Sequence, residues 1–130
     1  MARILLVDDS IYQRSKLRKF LEAAGYEVIE GSDGLEGLSL AASSKPDCML
    51  LDLIMPKVSG MDVLREIHEK HLTIPVIIHT SDIQEETKQE CLAFGAIAFL
   101  NKPAREEDLI AAIAQAIQPL GKESKNESVT

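Results

Sequence analysis

Cysteine is scarce in this sequence: Cys48 and Cys91 stand far apart among 130 residues and form no C-x-x-C pair. That argues against a disulfide framework and leaves two reduced thiols, one in an apolar run and one on a helical face. Proline and glycine are also few, 5 and 7, so a chain that is 45% hydrophobic can bury a core without staples. Apolar runs long enough to cross a bilayer are missing, since the longest are strand-sized and a membrane helix needs about 20 residues. No apolar signal segment precedes Arg3, and the expectation is a cytoplasmic protein without membrane insertion. An excess of positive charge is missing too. The net charge is −7, which repels nucleic acid and anionic lipid and argues against direct nucleic-acid binding. The length suits about one domain.

What is present is alternation. Strand-like apolar runs at residues 3–7, 26–29, 47–51, 76–79 and 96–100 are each followed by a helical pattern, the mark of a parallel α/β sheet. Ile4, Leu5, Leu6 and Val7 form a run apolar on both faces, as a fully covered strand requires. Residues 26–29 are more polar and suit a sheet edge. Ser10 is placed to cap a helix with the buried stripe Leu17, Phe20, Leu21 and Ala24, and Gly25 to end it in the left-handed region. Leu35, Leu38, Ala41 and Ala42 repeat at helical spacing. So do Met61, Leu64, Ile67 and His71, while Asp82 is placed to cap a helix over residues 83–94. The last helix, residues 106–118, would bury Leu109, Ile110, Ile113 and Ile117. Residues 1–118 read as one domain and residues 119–130 as a flexible polar tail.

Polar signals follow four of these runs: Asp8-Asp9, Asp52, Thr80 and Lys102. In a parallel sheet with right-handed crossovers, all of them fall on one edge, where open α/β sheets bind ligands. If the first and third strands are neighbours, Asp8, Asp9 and Asp52 project from chains about 4.8 Å apart. Carboxylates that close repel one another unless a cation is present, and a hard divalent ion with oxygen ligands resolves the conflict. Mg²⁺ fits best, because it keeps waters and accepts phosphate oxygens. Lys102 can hold a phosphoryl oxygen as a compact charge, Thr80 can offer a hydroxyl, and Asp52 can act as the nucleophile.

Those residues carry a resemblance. Val7-Asp8-Asp9-Ser10, residues 50–56 with Asp52 and Pro56, Gly60, residues 78–81 with Thr80, and Asn101-Lys102-Pro103 resemble the receiver domains of two-component response regulators, of the single-domain chemotaxis type. The likeness spans residues 2–118. It implies a flavodoxin-like, doubly wound five-stranded sheet in the order 2-1-3-4-5. It also implies that Asp52 is the phosphoacceptor, with Asp9 a direct Mg²⁺ ligand (Mn²⁺ an alternative). Asp8 would act mainly through bound water and Ile54 through its backbone carbonyl. Lys102 would contact the phosphoryl group, and its bond to Pro103 is often cis in relatives. The donor would be a phosphohistidine on a sensor kinase or histidine phosphotransfer protein, or a small donor such as acetyl phosphate. The output would be a separate effector protein, bound by a monomer or by a dimer formed on phosphorylation. The expected chemistry is confined to the chain's own phosphorylation and autodephosphorylation, so it is not expected to be an enzyme on foreign substrates.

In such relatives the hydroxyl at the Thr80 position moves toward the phosphate and an aromatic on the fifth strand follows. Here that aromatic is Phe99, which lacks the phenolic hydroxyl common in the family. The switch would reshape the surface made by residues 83–94, the fifth strand and the last helix. Ile54 and Asp82 occupy positions suited to setting phosphate lifetime, Ile54 by obstructing water and Asp82 by orienting it. His79 stands where an aliphatic residue is common and suits a half-buried strand position. Arg14, Lys16, Arg18 and Lys19 form a basic run, read either as a solvated face or as a docking surface for an acidic kinase. Three rival classes compete with this resemblance. A flavin carrier would need a phosphate loop where this chain has Asp8-Asp9. A foreign-substrate phosphatase would place Asp-x-Asp after the first strand. The main alternative is a non-phosphorylated adaptor with the same fold.

Overall fold

A computed structural model describes residues 1–117. The strands are β1 (Arg3–Val7), β2 (Glu27–Gly31), β3 (Cys48–Leu51), β4 (Val76–Thr80) and β5 (Ala98–Asn101). The helices are α1 (Ile11–Ala23), α2 (Gly34–Ser44), α3 (Gly60–Glu69), α4 (Glu85–Ala93) and α5 (Glu106–Ile117). All strand pairs are parallel, and the sheet runs β2-β1-β3-β4-β5, the order the resemblance implies. The tail over residues 119–130, and Gln118 before it, lie outside the described residues.

The sheet separates two apolar layers. Leu5, Val7, Met49, Leu51 and Ile78 face α2, α3 and α4. Ile4, Leu6, Leu50 and Ile77 face α1 and α5, meeting Leu17, Leu21, Leu109 and Ile113. The alternation has the strand period of two, and both faces are covered, which is why these runs carry almost no polar residues. β2 lies at an edge, as its polarity suggests.

Local signals mark most boundaries. Ser10 Oγ accepts from the Gln13 amide at the start of α1. Gly25 follows α1 at φ +97°, and Gly95 follows α4 at φ +96°. β5 begins two residues later than the apolar run, because the Ala96 amide still bonds the Cys91 carbonyl of the closing helix. α4 begins at Glu85 rather than at residue 83. Asp82 does not cap it directly; its carboxylate accepts from the Gln84 amide and the Thr87 hydroxyl, holding a short loop open. His71 is not on α3 at all: it lies past the helix end at φ +56°.

The inward face of α2 also differs from expectation. Leu35 and Ala42 are exposed, and Gly34, Gly37 and Ala41 are buried. A Cβ on Gly37 would come within 3.0 Å of Val7, and one on Gly34 within 2.6 Å of the Val58 carbonyl. Hydrophobic spacing alone points at leucine, but close approach to β1 requires glycine.

Candidate functional site

β1 and β3 are in register with Val7 level with Leu51, and Leu51 is in turn level with Ile78 of β4. The residues just past that row therefore emerge side by side. Asp8 and Asp52 are buried, Asp9 is exposed, and one carboxylate oxygen from each lies within 4.8 Å of the others. Hard oxygen donors on neighbouring strand ends form a cluster compatible with a metal ion, and it is the only such group among the described residues.

Lys102 reaches this cluster from the end of β5. Its Nζ donates to Asp8 Oδ2 at 2.9 Å and to Asp52 Oδ2 at 3.0 Å. Burial alone would lower the ammonium's pKa, but its hydrogen bonds and attraction to the two carboxylates outweigh it, so the pKa is raised. The Lys102–Pro103 peptide is cis. The remaining oxygens are also occupied. Asp8 Oδ1 accepts from the Ser10 amide at 2.9 Å, and Asp52 Oδ1 from the Ile54 amide at 3.2 Å.

Thr80, fully buried, has its hydroxyl oxygen bonded by the Asp82 amide at 3.3 Å. Phe99 is level with Ile78, two residues before Thr80, so Thr80 and Phe99 share a face of the sheet. Phe99 is half-buried against the layer that holds Met55 and Leu53. Ile54 is 55% exposed above Asp52, and Asp82 is half-buried in the loop after β4. Asp8, Asp9, Asp52, Thr80 and Lys102 thus lie at one sheet edge, with Ile54 and Asp82 in the loops beside it.

Four further residues shape the site. Gly60 opens α3 against the back of Asp52: a Cβ there would collide with the Asp52 carbonyl and lie 2.6 Å from Leu53 Cα. Asn101 Nδ2 donates to the Asp82 carbonyl at 2.9 Å, tying β5 to the loop after β4. Arg14 donates to the Asp8 carbonyl at 2.7 Å and to Glu30 at 2.9 Å. Gly60 and Asn101 are visible in the sequence motifs, but Arg14 and Glu30 are not. The only sequence hint is that Arg14 and Arg18 sit four apart on one helical face. Both turn toward β2, so the basic run is no uniform solvated stripe, and Lys16 and Lys19 alone make no ion pair among the described residues.

His79 is buried rather than half-buried as its strand position suggested, and its Nε2 has no hydrogen-bond partner among the described residues. Burial is the main cause of a lowered pKa. Lys102 lowers it further, while Asp8 and Asp52 pull the other way. The ring borders a cavity of about 230 Å³ that Gln13, Lys16, Leu17 and Lys102 also line. A larger apolar groove of about 680 Å³, lined by Thr73, Pro75, Ile97 and Ala116, lies away from the carboxylates and carries no titratable group. No helix of the described residues is long and apolar enough to cross a membrane.

Comparison with known proteins agrees with this geometry. The family model of the response regulator receiver domain matches residues 4–114. The chain is similar to Protein PilH of Pseudomonas aeruginosa, 41% identical over 87% of this chain and 95% of that protein. It is 34% identical to Response regulator MprA of Mycobacterium avium, covering 98% of this chain but only 56% of that longer protein. Among solved structures, chemotaxis protein CheY4 of Vibrio cholerae superposes with a TM-score of 0.82 at 33% identity, over 89% of this chain and 98% of that one.

Proposed function

The chain belongs to the response regulator receiver domains of two-component systems, and from that membership we propose that Asp52 accepts a phosphoryl group from a phosphohistidine. One observation carries this reading: a buried carboxylate with one oxygen on Lys102 Nζ, inside a cluster of acidic oxygens that fits a divalent cation. Asp8, Asp9, Asp52 and the backbone carbonyl of Ile54 would hold Mg²⁺, with Mn²⁺ as a substitute. When bound, the cation would neutralise the carboxylates and the oxygens of an incoming phosphoryl group.

The protein's own part is positioning. An oxygen of Asp52 attacks phosphorus as the P–N bond to the donor imidazole breaks. The electron pair leaves with the ring nitrogen, and the product on this chain is an acyl phosphate. The Lys102 ammonium stays protonated and meets a phosphoryl oxygen, which requires its present bond to Asp52 to give way. The Ile54 amide steadies the Asp52 carboxylate. Thr80 supplies a hydroxyl to another phosphoryl oxygen, giving up the bond from the Asp82 amide, and Phe99 follows into the space on the same sheet face. The changed surface of α4, β5 and α5 would then bind a separate effector, as a monomer or as a dimer formed on phosphorylation. Ile54, standing exposed beside the acceptor, slows loss of the phosphate by obstructing water, and Asp82 orients the water that does arrive.

The donor would be a sensor kinase or histidine phosphotransfer protein in the cytoplasm. The exposed Ile11 and Tyr12 at the start of α1, beside Lys16 and Lys19, which make no ion pair among the described residues, favour an acidic partner with an apolar centre. The chemistry would be confined to this chain's own phosphorylation and dephosphorylation. Intact mass after incubation with acetyl phosphate tests the reading. A gain of one phosphoryl group that needs Mg²⁺ and vanishes in Asp52→Asn is expected. If folded protein gains none from acetyl phosphate or from a phosphohistidine donor, a non-phosphorylated adaptor is the better description.

A further inference from the structure

Asp9 differs from the other groups at the acidic cluster in one respect. Asp8 is fixed at every polar atom: its amide bonds the Gly31 carbonyl, its carboxylate is held by the Ser10 amide and Lys102, and its carbonyl by Arg14. Asp52 is held by Lys102 and the Ile54 amide. The Asp9 carboxylate, exposed, makes no hydrogen bond or ion pair among the described residues. Its direction is therefore inherited from the main chain, and the peptide plane entering Asp9 is the one whose oxygen Arg14 grips.

That grip is itself braced. Arg14 Nη1 donates to the Asp8 carbonyl at 2.7 Å while its Nε donates to Glu30 Oε1 at 2.9 Å. The other oxygen of Glu30 meets Arg18 Nε at 2.8 Å, and Arg18 Nη2 donates to the Val28 carbonyl at 2.8 Å. One carboxylate on β2 thus anchors two guanidinium groups of α1. Arg14 is the more enclosed, with its side chain 11% exposed against 39% for Arg18. A planar guanidinium can serve a carboxylate and a carbonyl at once in a fixed geometry, whereas a lysine ammonium at the end of a flexible stem cannot.

We propose that Arg14, braced by Glu30, is a positioning residue that sets the Asp8–Asp9 peptide plane and so aims the Asp9 carboxylate at the divalent cation. This rests on the reading of the acidic cluster as a Mg²⁺ site. Groups that orient a ligand without touching the metal commonly change affinity by about 10-fold or more when removed. Arg18 provides the internal control, because it shares Glu30 and bonds β2 yet does not touch Asp8.

The test is Mg²⁺ titration by calorimetry, with no phosphodonor, on wild type, Arg14→Lys, Arg14→Gln and Arg18→Gln, with the unfolding midpoint of each metal-free variant measured in parallel. Weakening of about 10-fold in both Arg14 variants, with Arg18→Gln close to wild type at a similar loss of metal-free stability, is the expected result. Equal weakening in the Arg14 and Arg18 variants would reduce Arg14 to a structural tie and overturn the proposal. Wild-type affinity in folded Arg14→Lys would overturn it as well. A wild-type protein that takes up no Mg²⁺ would instead remove the metal site, and the proposal with it, so the two failures are distinguishable.

Discussion

α3 and α4 are neighbours on the same face of the sheet, built to different standards. α3 buries Gly60, Val63, Leu64 and Ile67, and opens with a capping box in which Ser59 and Asp62 satisfy each other's backbone amides. α4 buries only Cys91, and its N-cap Gln84 makes no side-chain hydrogen bond. The strands beside them repeat the contrast. β3 is buried throughout, whereas no residue of β5 is fully buried. The acidic cluster hangs from the tightly built part, and the surface proposed to respond belongs to the loosely built part. A reaction centre needs fixed distances; a signalling surface needs a second arrangement within a few kcal/mol of the first.

The heaviest blow to this contrast would be Gly60→Ala. The added methyl has no room beside the Asp52 carbonyl, so α3 must retreat from β3. A loss of about 2–3 kcal/mol in urea unfolding is expected, with weakened phosphorylation as the Asp52 backbone shifts. If the variant matched wild type in both, the fixed side would not be fixed by this contact. Next come the caps. Ser59→Ala should cost about 1 kcal/mol, while Gln84→Ser should add a few tenths to about 1 kcal/mol by giving α4 the cap it lacks. Hydrogen exchange would then show slower opening of α4 amides in Gln84→Ser, and no such change would mean that packing, not capping, sets its mobility.

The smallest effect concerns β4, which joins the two parts. His79 has a folded pKa below its ordinary 6.5, with Lys102, Asp8 and Asp52 as the charges around it. The unfolded chain therefore takes up a proton first as pH falls. Stability is full above about pH 6.5 and is lost as pH drops toward the folded value. In metal-free protein His79→Val should remove that part of the slope as pH falls below the ordinary histidine value, and relieve an Nε2 that has no partner among the described residues. An unchanged slope in urea unfolding would assign the pH dependence to other groups.

Much of this was legible before any coordinates. Strands covered on both faces leave continuous apolar runs, and a parallel sheet sends the residue after each run to one edge, so Asp8, Asp9, Asp52, Thr80 and Lys102 could be gathered from spacing alone. The Ser10 cap and the Gly25 turn were equally plain. The inward turn of Arg14 and Arg18 was not, because a basic run reads the same in water or against Glu30, a partner brought near only by β1–β2 pairing. Nor could periodicity reveal that α2 lays Gly34 and Gly37, not Leu35, against its neighbours. The start of α4 was misplaced because the loop before it is held by side chains of Asp82 and Asn101 rather than by a cap.

The register that aligns Val7 with Leu51 and Leu51 with Ile78 has a practical consequence at the other end of the molecule. Asp8, Asp9, Asp52 and Lys102 are placed by where strands stop, and not by how the chain returns from helix to strand. The return turns at Lys45 and His71, both at positive φ, lie at that far edge. They are natural places to graft a tag, a fluorophore or a new pair of termini, leaving the carboxylate edge undisturbed.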